Sequence, residues 1–328
     1  MEVRSTGRNA LLAGFVISFT GAILFSTKAI LVKLAFRSTH TDALTLLALR
    51  MLLSLPFYLL TAFWGSRKEG NARMNRRQWG WVIALGLLGY YLSSFFDFVG
   101  LQYISAGLER LILFLYPSFA VLINAIVFRQ RISRVQFIAL VLTYTGIGIA
   151  YFGELKIDTG NPNFYWGSFL VFLCSITYAV YLSGAGKLVP LVGAAKFTTY
   201  SMLTATLGVL AHFFIREVLG DHPPLPTGAG SGTLWGYGIA LALVATVIPS
   251  FMMSAGMKRI GANNAAIVTS VGPVSTIIQA HFFLGDRIFA EQVIGTALVI
   301  VGVLLIGWKE RRLGAAVAGP DSETAAGG

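Results

Sequence analysis

Residues 79–151 return as residues 235–307 at a constant offset of 156, without a gap. The two copies share 18 of 73 positions, among them Trp79/Trp235, Phe95/Phe251, Gly100/Gly256, Pro117/Pro273, Arg131/Arg287, Gln136/Gln292 and Gly146/Gly302. Apolar segments of like composition match at about one position in ten, and glycine, proline and tryptophan add little to that background. The chain is therefore built twice on one plan. Ten apolar segments carry it: 10–36, 42–64, 78–99, 104–128, 135–153, 164–184, 194–215, 233–256, 263–284 and 290–308. Each is long enough, at about 1.5 Å per residue, to cross a hydrocarbon layer of about 30 Å. Ten segments in two copies give five per copy. An odd number sends the second copy in from the opposite face. The expected architecture is an all-α membrane protein of ten transmembrane helices in two inverted five-helix repeats, related by a pseudo-two-fold axis in the membrane plane.

Composition agrees. The chain is 55% hydrophobic and 12% charged, against about 25% charged in soluble domains. The net charge of +11 invites a nucleic-acid reading, but the Lys and Arg residues sit in short loops and form no single exposed face. With the N-terminus in the cytoplasm, the inner loops hold 17 basic residues and the outer loops four, Arg37, Lys156, Arg216 and Arg287. That asymmetry places both termini in the cytoplasm, and the cell inner membrane is the expected location. Arg4 and Arg8 precede an apolar run, but no small-x-small cleavage site follows, so the first segment is expected to be retained. The layout is then a cytoplasmic N-terminus (1–9), a first repeat (10–153), an exterior linker (154–163), a second repeat (164–308) and a disordered cytoplasmic tail (309–328). The longest connection, 220–232, is Pro/Gly-rich and exterior.

Five ionisable groups fall within spans at similar depth in the outer half: Lys28, Arg50, Asp97, Glu109 and Arg110. Charge inside an apolar span needs a partner, water or a ligand. Glu109 and Arg110 are neighbours, about 100° apart on a helix, so each needs a partner elsewhere. The simplest pairings are Lys28–Glu109 and Asp97–Arg110, with Arg50 left over to snorkel toward headgroups. The group either locks the spans together or forms a water-filled binding or coupling site. Phe95 and Phe251, matched across the repeats, are candidate walls of such a cavity. Pro117 and Pro273, also matched, read as fixed kinks or as hinges. The glycines allow close helix approach, within the chain or between two copies in a homodimer. Cys174 is the single cysteine, so no disulfide forms within the chain. No P-loop, HExxH, CxxC or GxSxG pattern occurs; no enzyme, ATP motor, metal or cofactor is expected.

The ten-span inverted repeat resembles the drug/metabolite transporter superfamily, in particular its EamA-type members. The segments that carry the likeness are LLALRMLLSLP (46–56), LYPSFAVLINAIVFRQRISRVQFIALVLTYTGIGIAY (115–151) and VGPVSTIIQAHFFLGDRIFAEQVIGTALVIVGVLLI (271–306). The family commonly has Glu before the loop Arg, where this chain has Gln130 and Asp286. The resemblance implies a central cavity walled by spans one, three, four, six, eight and nine, three of which carry Lys28, Asp97, Glu109 and Arg110. It implies export, or less often uptake, of small metabolites. With the inverted repeat, the missing ATPase motif and the outer-half charges, the main expectation is a proton- or gradient-coupled secondary transporter that exports amino acids or related compounds by alternating access. An anion or phosphorylated-metabolite exchanger, a channel and a non-transporting membrane partner stay open as alternatives.

Overall fold

In lipid every backbone N–H and C=O must be satisfied within its own segment, so apolar runs of this length become helices. The computed structural model describes residues 2–65, 74–127, 129, 131–157, 160–220 and 229–317, and among these there is no strand. The first repeat contains α1 (Glu2–Thr39), α2 (Ala43–Gly65), α3 (Arg76–Gly86), α4 (Ser93–Gly100), α5 (Ala106–Leu113), α6 (Tyr116–Val127) and α7 (Arg134–Ile157). The second contains α8 (Phe164–Val192), α9 (Ala194–Leu219), α10 (Ala229–Ala242), α11 (Ile248–Thr269), α12 (Gly272–Gln279) and α13 (Ala290–Val317). Eight helical stretches of the described chain are long and apolar enough to cross a membrane, and Ala290–Leu305 is a shorter apolar helix. The ninth segment is broken into the end of α11, then α12 and a π-turn at Ala280–Leu284. Outward-facing side chains are apolar, with Leu12, Phe63, Ile126, Phe137, Phe152 and Phe282 all exposed, as a lipid-facing surface requires.

The packing obeys the repeat. α1 lies against α11 and α12, and its counterpart α8 lies against α4, α5 and α6. α2 packs on α10, and its counterpart α9 packs on α3. α2 pairs with α9, and α7 with α13, each helix meeting its own twin. The α7–α13 contact depends on glycine. A Cβ on Gly146 would stand 2.6 Å from the Gly295 carbonyl oxygen, and one on Gly302 would stand 2.8 Å from that of Ala139.

Irregularities repeat as well. A π-turn at Leu87–Leu92 joins α3 to α4, and its twin at Leu243–Val247 joins α10 to α11, at the same offset of 156. The helix breaks at 114–115 and again at 270–271, two residues before Pro117 and Pro273. Proline lacks an N–H and clashes with the carbonyl four residues back, so both helices stop and restart with proline in the first turn. These are breaks, which is more than the kink expected.

The copies also differ. Residues 101–105 form a turn in the first repeat, whereas α11 runs unbroken through the loop expected between 256 and 263. The cause is local. Ser105 caps α5, its Oγ accepting from the Leu108 N–H at 3.0 Å, and Glu154 holds Ser105 through its N–H and Oγ. The equivalent of Ser105 is Gly261, which has no capping side chain. At the two ends, α1 begins at Glu2 and α13 continues to Val317, so helix covers the expected N-terminal segment and the first part of the expected disordered tail. The exterior connection at 221–228, the basic residues Arg67, Lys68 and Arg73, and residues 318–328 lie outside the described residues.

Residues expected on one side are joined there. Asp42 caps α2 by accepting from the N–H groups of Leu44 and Thr45, and it pairs with Arg216 at the end of α9. Arg37, closing α1, donates to the Leu284 carbonyl at 2.8 Å and approaches Asp286 at 3.8 Å. Lys156 and Glu291 join α7 to α13 at 3.9 Å.

Candidate functional site

Three helices bring charge together where α1, α4 and α5 meet. Lys28 Nζ lies 2.5 Å from Asp97 Oδ2 and 3.3 Å from Glu109 Oε1. Glu109 is fully buried and Asp97 is 3% exposed. The two carboxylates interact with each other as well as with the ammonium. Asp97 Oδ1 and Glu109 Oε2 are both buried with no hydrogen-bond partner. The hydrogen-bonded group therefore sets one cation against two anions and leaves two acceptor atoms unused.

The expected pairing of Lys28 with Glu109 is present, but that of Asp97 with Arg110 is not. Both acids turn to Lys28. Arg110, on the next face of α5, lies over the Phe114 ring at 5.4 Å. Its guanidinium also reaches Gly272 in the ninth segment, where a Cβ would be 2.8 Å from Nη2. Arg110 thus links the break at 114–115 to the break at 270–271. Arg50 does not snorkel. It is 8% exposed, donates to Ser94 Oγ at 2.9 Å and lies 4.9 Å over the Phe98 ring. Its position is near enough to Asp97 for the two charges to interact. With Arg50 and Arg110 the local count becomes three cations and two anions. Both guanidiniums keep a buried Nε without a partner.

Aromatic and thiol groups surround this centre. Cys174 is buried, with its Sγ 3.2 Å from Ser93 Oγ. Tyr181 donates to Tyr90 Oη at 3.0 Å and stacks on Tyr178, which meets Tyr116 edge-on at 5.2 Å. Phe95 and Phe251 are not brought to the charges. Phe95 packs on His212 at 5.0 Å, and Phe251 is 43% exposed on the outer surface of α11.

Two buried polar residues that were not among the expected site residues lie at the end of α7 and the start of α13. Glu154 is 6% exposed and holds Ser105 at the start of α5. Its span was expected to end at Gly153, which put Glu154 in solvent. Gln292 is 5% exposed with a buried, unpartnered Oε1. Its membership of the repeat was visible, and its isolation was not. Among the described residues no group of His, Cys, Asp and Glu could hold a metal ion.

Comparisons with known proteins agree with this architecture. Residues 12–152 and 165–308 each match the EamA-like transporter family. The uncharacterized transporter YcbK of Bacillus subtilis is 30% identical over 302 residues, covering 92% of this chain and 94% of its own. The uncharacterized transporter YyaM of the same organism is 25% identical over 68% of this chain and 71% of its own. A solved crystal structure superposes on 92% of this chain and 98% of its own with a TM-score of 0.58 and 21% identity, which is a likeness of fold alone.

Proposed function

Because the chain belongs to the EamA-like transporter family, we propose that it is a secondary transporter that exports small metabolites, amino acids or related compounds, across the inner membrane by alternating access. The Lys28–Asp97–Glu109 group is its coupling and binding site. The observation that carries this reading is the pair of unused acceptors, Asp97 Oδ1 and Glu109 Oε2, buried beside one shared ammonium. Buried acceptors without donors cost free energy, and a proton or a substrate ammonium satisfies them. The unused Nε donors of Arg50 and Arg110 offer a seat for a carboxylate. A zwitterionic amino acid meets both needs.

Those same donors favour one second reading, exchange of anions or phosphorylated metabolites. Both termini are cytoplasmic in either case, on the strength of the basic inner loops. Pro117 and Pro273 act as hinges, each at the break of a helix that Arg110 touches or belongs to. The test is counterflow in proteoliposomes with a panel of labelled amino acids, organic anions and sugar phosphates. Trans-stimulated exchange of an amino acid, lost in Glu109→Gln, supports the coupling role. Exchange of anions alone supports the second reading. Flux linear in concentration without trans-stimulation would make the protein a channel, and no flux for any compound would make it a non-transporting partner.

A further inference from the structure

Outward of the charged group, the ends of α1, α5, α7, α12 and α13 border a half-open cavity of about 430 Å³, within the range of small-molecule sites. Lys28, Asp97 and Glu109 do not line it. Lys33 does, five residues further along α1, or about 7 Å outward. Three cations, Lys33, Arg37 and Arg287, and two acids, Glu154 and Asp286, line it. Lys33 is near enough to both acids for the charges to interact. Arg37 meets Asp286 only at 3.8 Å, with its side chain 55% exposed. The rest of the lining sets an apolar face of Ile104, Ile157, Ile277, Ile288 and Phe289 beside polar groups from Gln102, Tyr103, Ser105 and Asn161.

Gln292 is the decisive residue. Its twin Gln136 is consumed locally: Gln136 Oε1 accepts from the Ser133 N–H at 3.1 Å and Ser133 Oγ accepts from the Gln136 N–H, a capping box that starts α7. At the start of α13 the position equivalent to Ser133 is Phe289, which cannot cap. Gln292 is thereby released from capping. It lines the cavity instead, beside Gly107, where its Nε2 occupies the space a Cβ would need. Its Oε1 is buried and has no donor. A buried acceptor without a donor is costly, and a ligand N–H supplies one.

We propose that this outer vestibule is a second binding site, separate from the Lys28 group, for an α-amino acid with an apolar side chain. The ligand carboxylate lies toward Lys33 and Arg37, its ammonium toward Gln292 Oε1 and Glu154, and its side chain on the isoleucine and phenylalanine wall. The inference rests on the transport reading and deepens it, since cargo leaving the Lys28 group outward would next meet this site.

The test is equilibrium binding of tritiated L-leucine to the purified full-length protein in lipid nanodiscs, with counterflow measured in parallel. The expected result is saturable binding displaced by unlabelled L-leucine and by neither leucine amide nor isocaproate, which lack the carboxylate and the ammonium. Arg37→Gln and Gln292→Leu should each weaken binding at least tenfold, and Gln292→Glu, which keeps an acceptor, should retain it. Arg37 is largely exposed, so its variant remains informative if Gln292→Leu fails to fold. Absence of binding, displacement by isocaproate, or binding indifferent to Arg37→Gln and Gln292→Leu would overturn the assignment. Counterflow of any amino acid alongside such a result leaves transport standing and removes only the vestibule. Loss of all counterflow would instead remove the transport reading on which the site depends.

Discussion

Replacing Lys28 with methionine isolates the electrostatics of the site. The substitution keeps a long apolar side chain and removes the ammonium from which two buried carboxylates accept, at 2.5 and 3.3 Å. Removing one partner of a buried ion pair costs about 3–5 kcal/mol, because the remaining charge is stranded in low dielectric. At roughly 2–4 °C per kcal/mol, Tm should fall by about 6–20 °C. Glu109→Gln should behave differently. Lys28 keeps Asp97 at 2.5 Å, and the amide oxygen still accepts from the ammonium, so the loss is on the order of 1 kcal/mol. The triple variant Lys28→Met, Asp97→Asn, Glu109→Gln removes the stranded carboxylates but leaves buried Arg50 without the Asp97 charge it faces, so it should recover part of the lost stability and not all of it. Thermal unfolding in nanodiscs, followed by intrinsic tryptophan fluorescence, reads all three. A Tm for Lys28→Met within 2 °C of wild type would refute the reasoning (about 1 kcal/mol or less), as would a triple variant no more stable than the single one.

Other outcomes follow from the periphery. Burial pushes the Asp42 carboxyl up, but its bonds to Arg216 and Thr45 outweigh burial and hold it below the usual carboxylate range. Its stabilisation is therefore present above the unfolded value of about 3.9 and is lost as pH falls through the lower folded value. Tm measured against pH should drop in acid for wild type, while Asp42→Asn should start lower at pH ~7 and show a smaller acid drop. Gly295→Leu drives a side chain into the Gly146 carbonyl and should prise α7 from α13, whereas Gly80→Leu meets open space and should leave Tm and abundance unchanged; comparable losses in both would contradict the glycine contact. In a Cys174→Ser background, cysteines placed within 221–228 should react with an impermeant thiol reagent from outside, and cysteines within 67–73 only from inside; labelling of both from one face would overturn the inverted topology.

The repeat was legible because glycine, proline and tryptophan mark places where a side chain either cannot fit or cannot be replaced. Pro117 and Pro273 announced the two breaks for the same reason, since a missing N–H acts on its own helix and needs no knowledge of the neighbours. The charged group was legible as a depth and not as an angle. Counting along spans placed Lys28, Asp97, Glu109 and Arg110 at one level, but which acid met which base depended on helix rotation, and Asp97 turned to Lys28. Continuation of α11 through 256–263 turned on the absence of a serine in the second copy, a difference invisible while the copies were read for their likeness. Glu154 was lost by an error of one residue at a span end.

The twin π-turns have a consequence for the angle of everything beyond them. A π-turn holds one more residue than the α-turn it replaces, so each following side chain is indexed about 100° round the helix axis from where an uninterrupted helix would point it. Asp97 follows the turn at Leu87–Leu92 by five residues, and its place beside Lys28 includes that extra step. The bulge works as a vernier. One residue absorbed or released there would swing the Asp97 carboxylate off the ammonium by more than a quarter of a revolution. The second copy carries the same vernier at Leu243–Val247, reading in the opposite sense across the membrane.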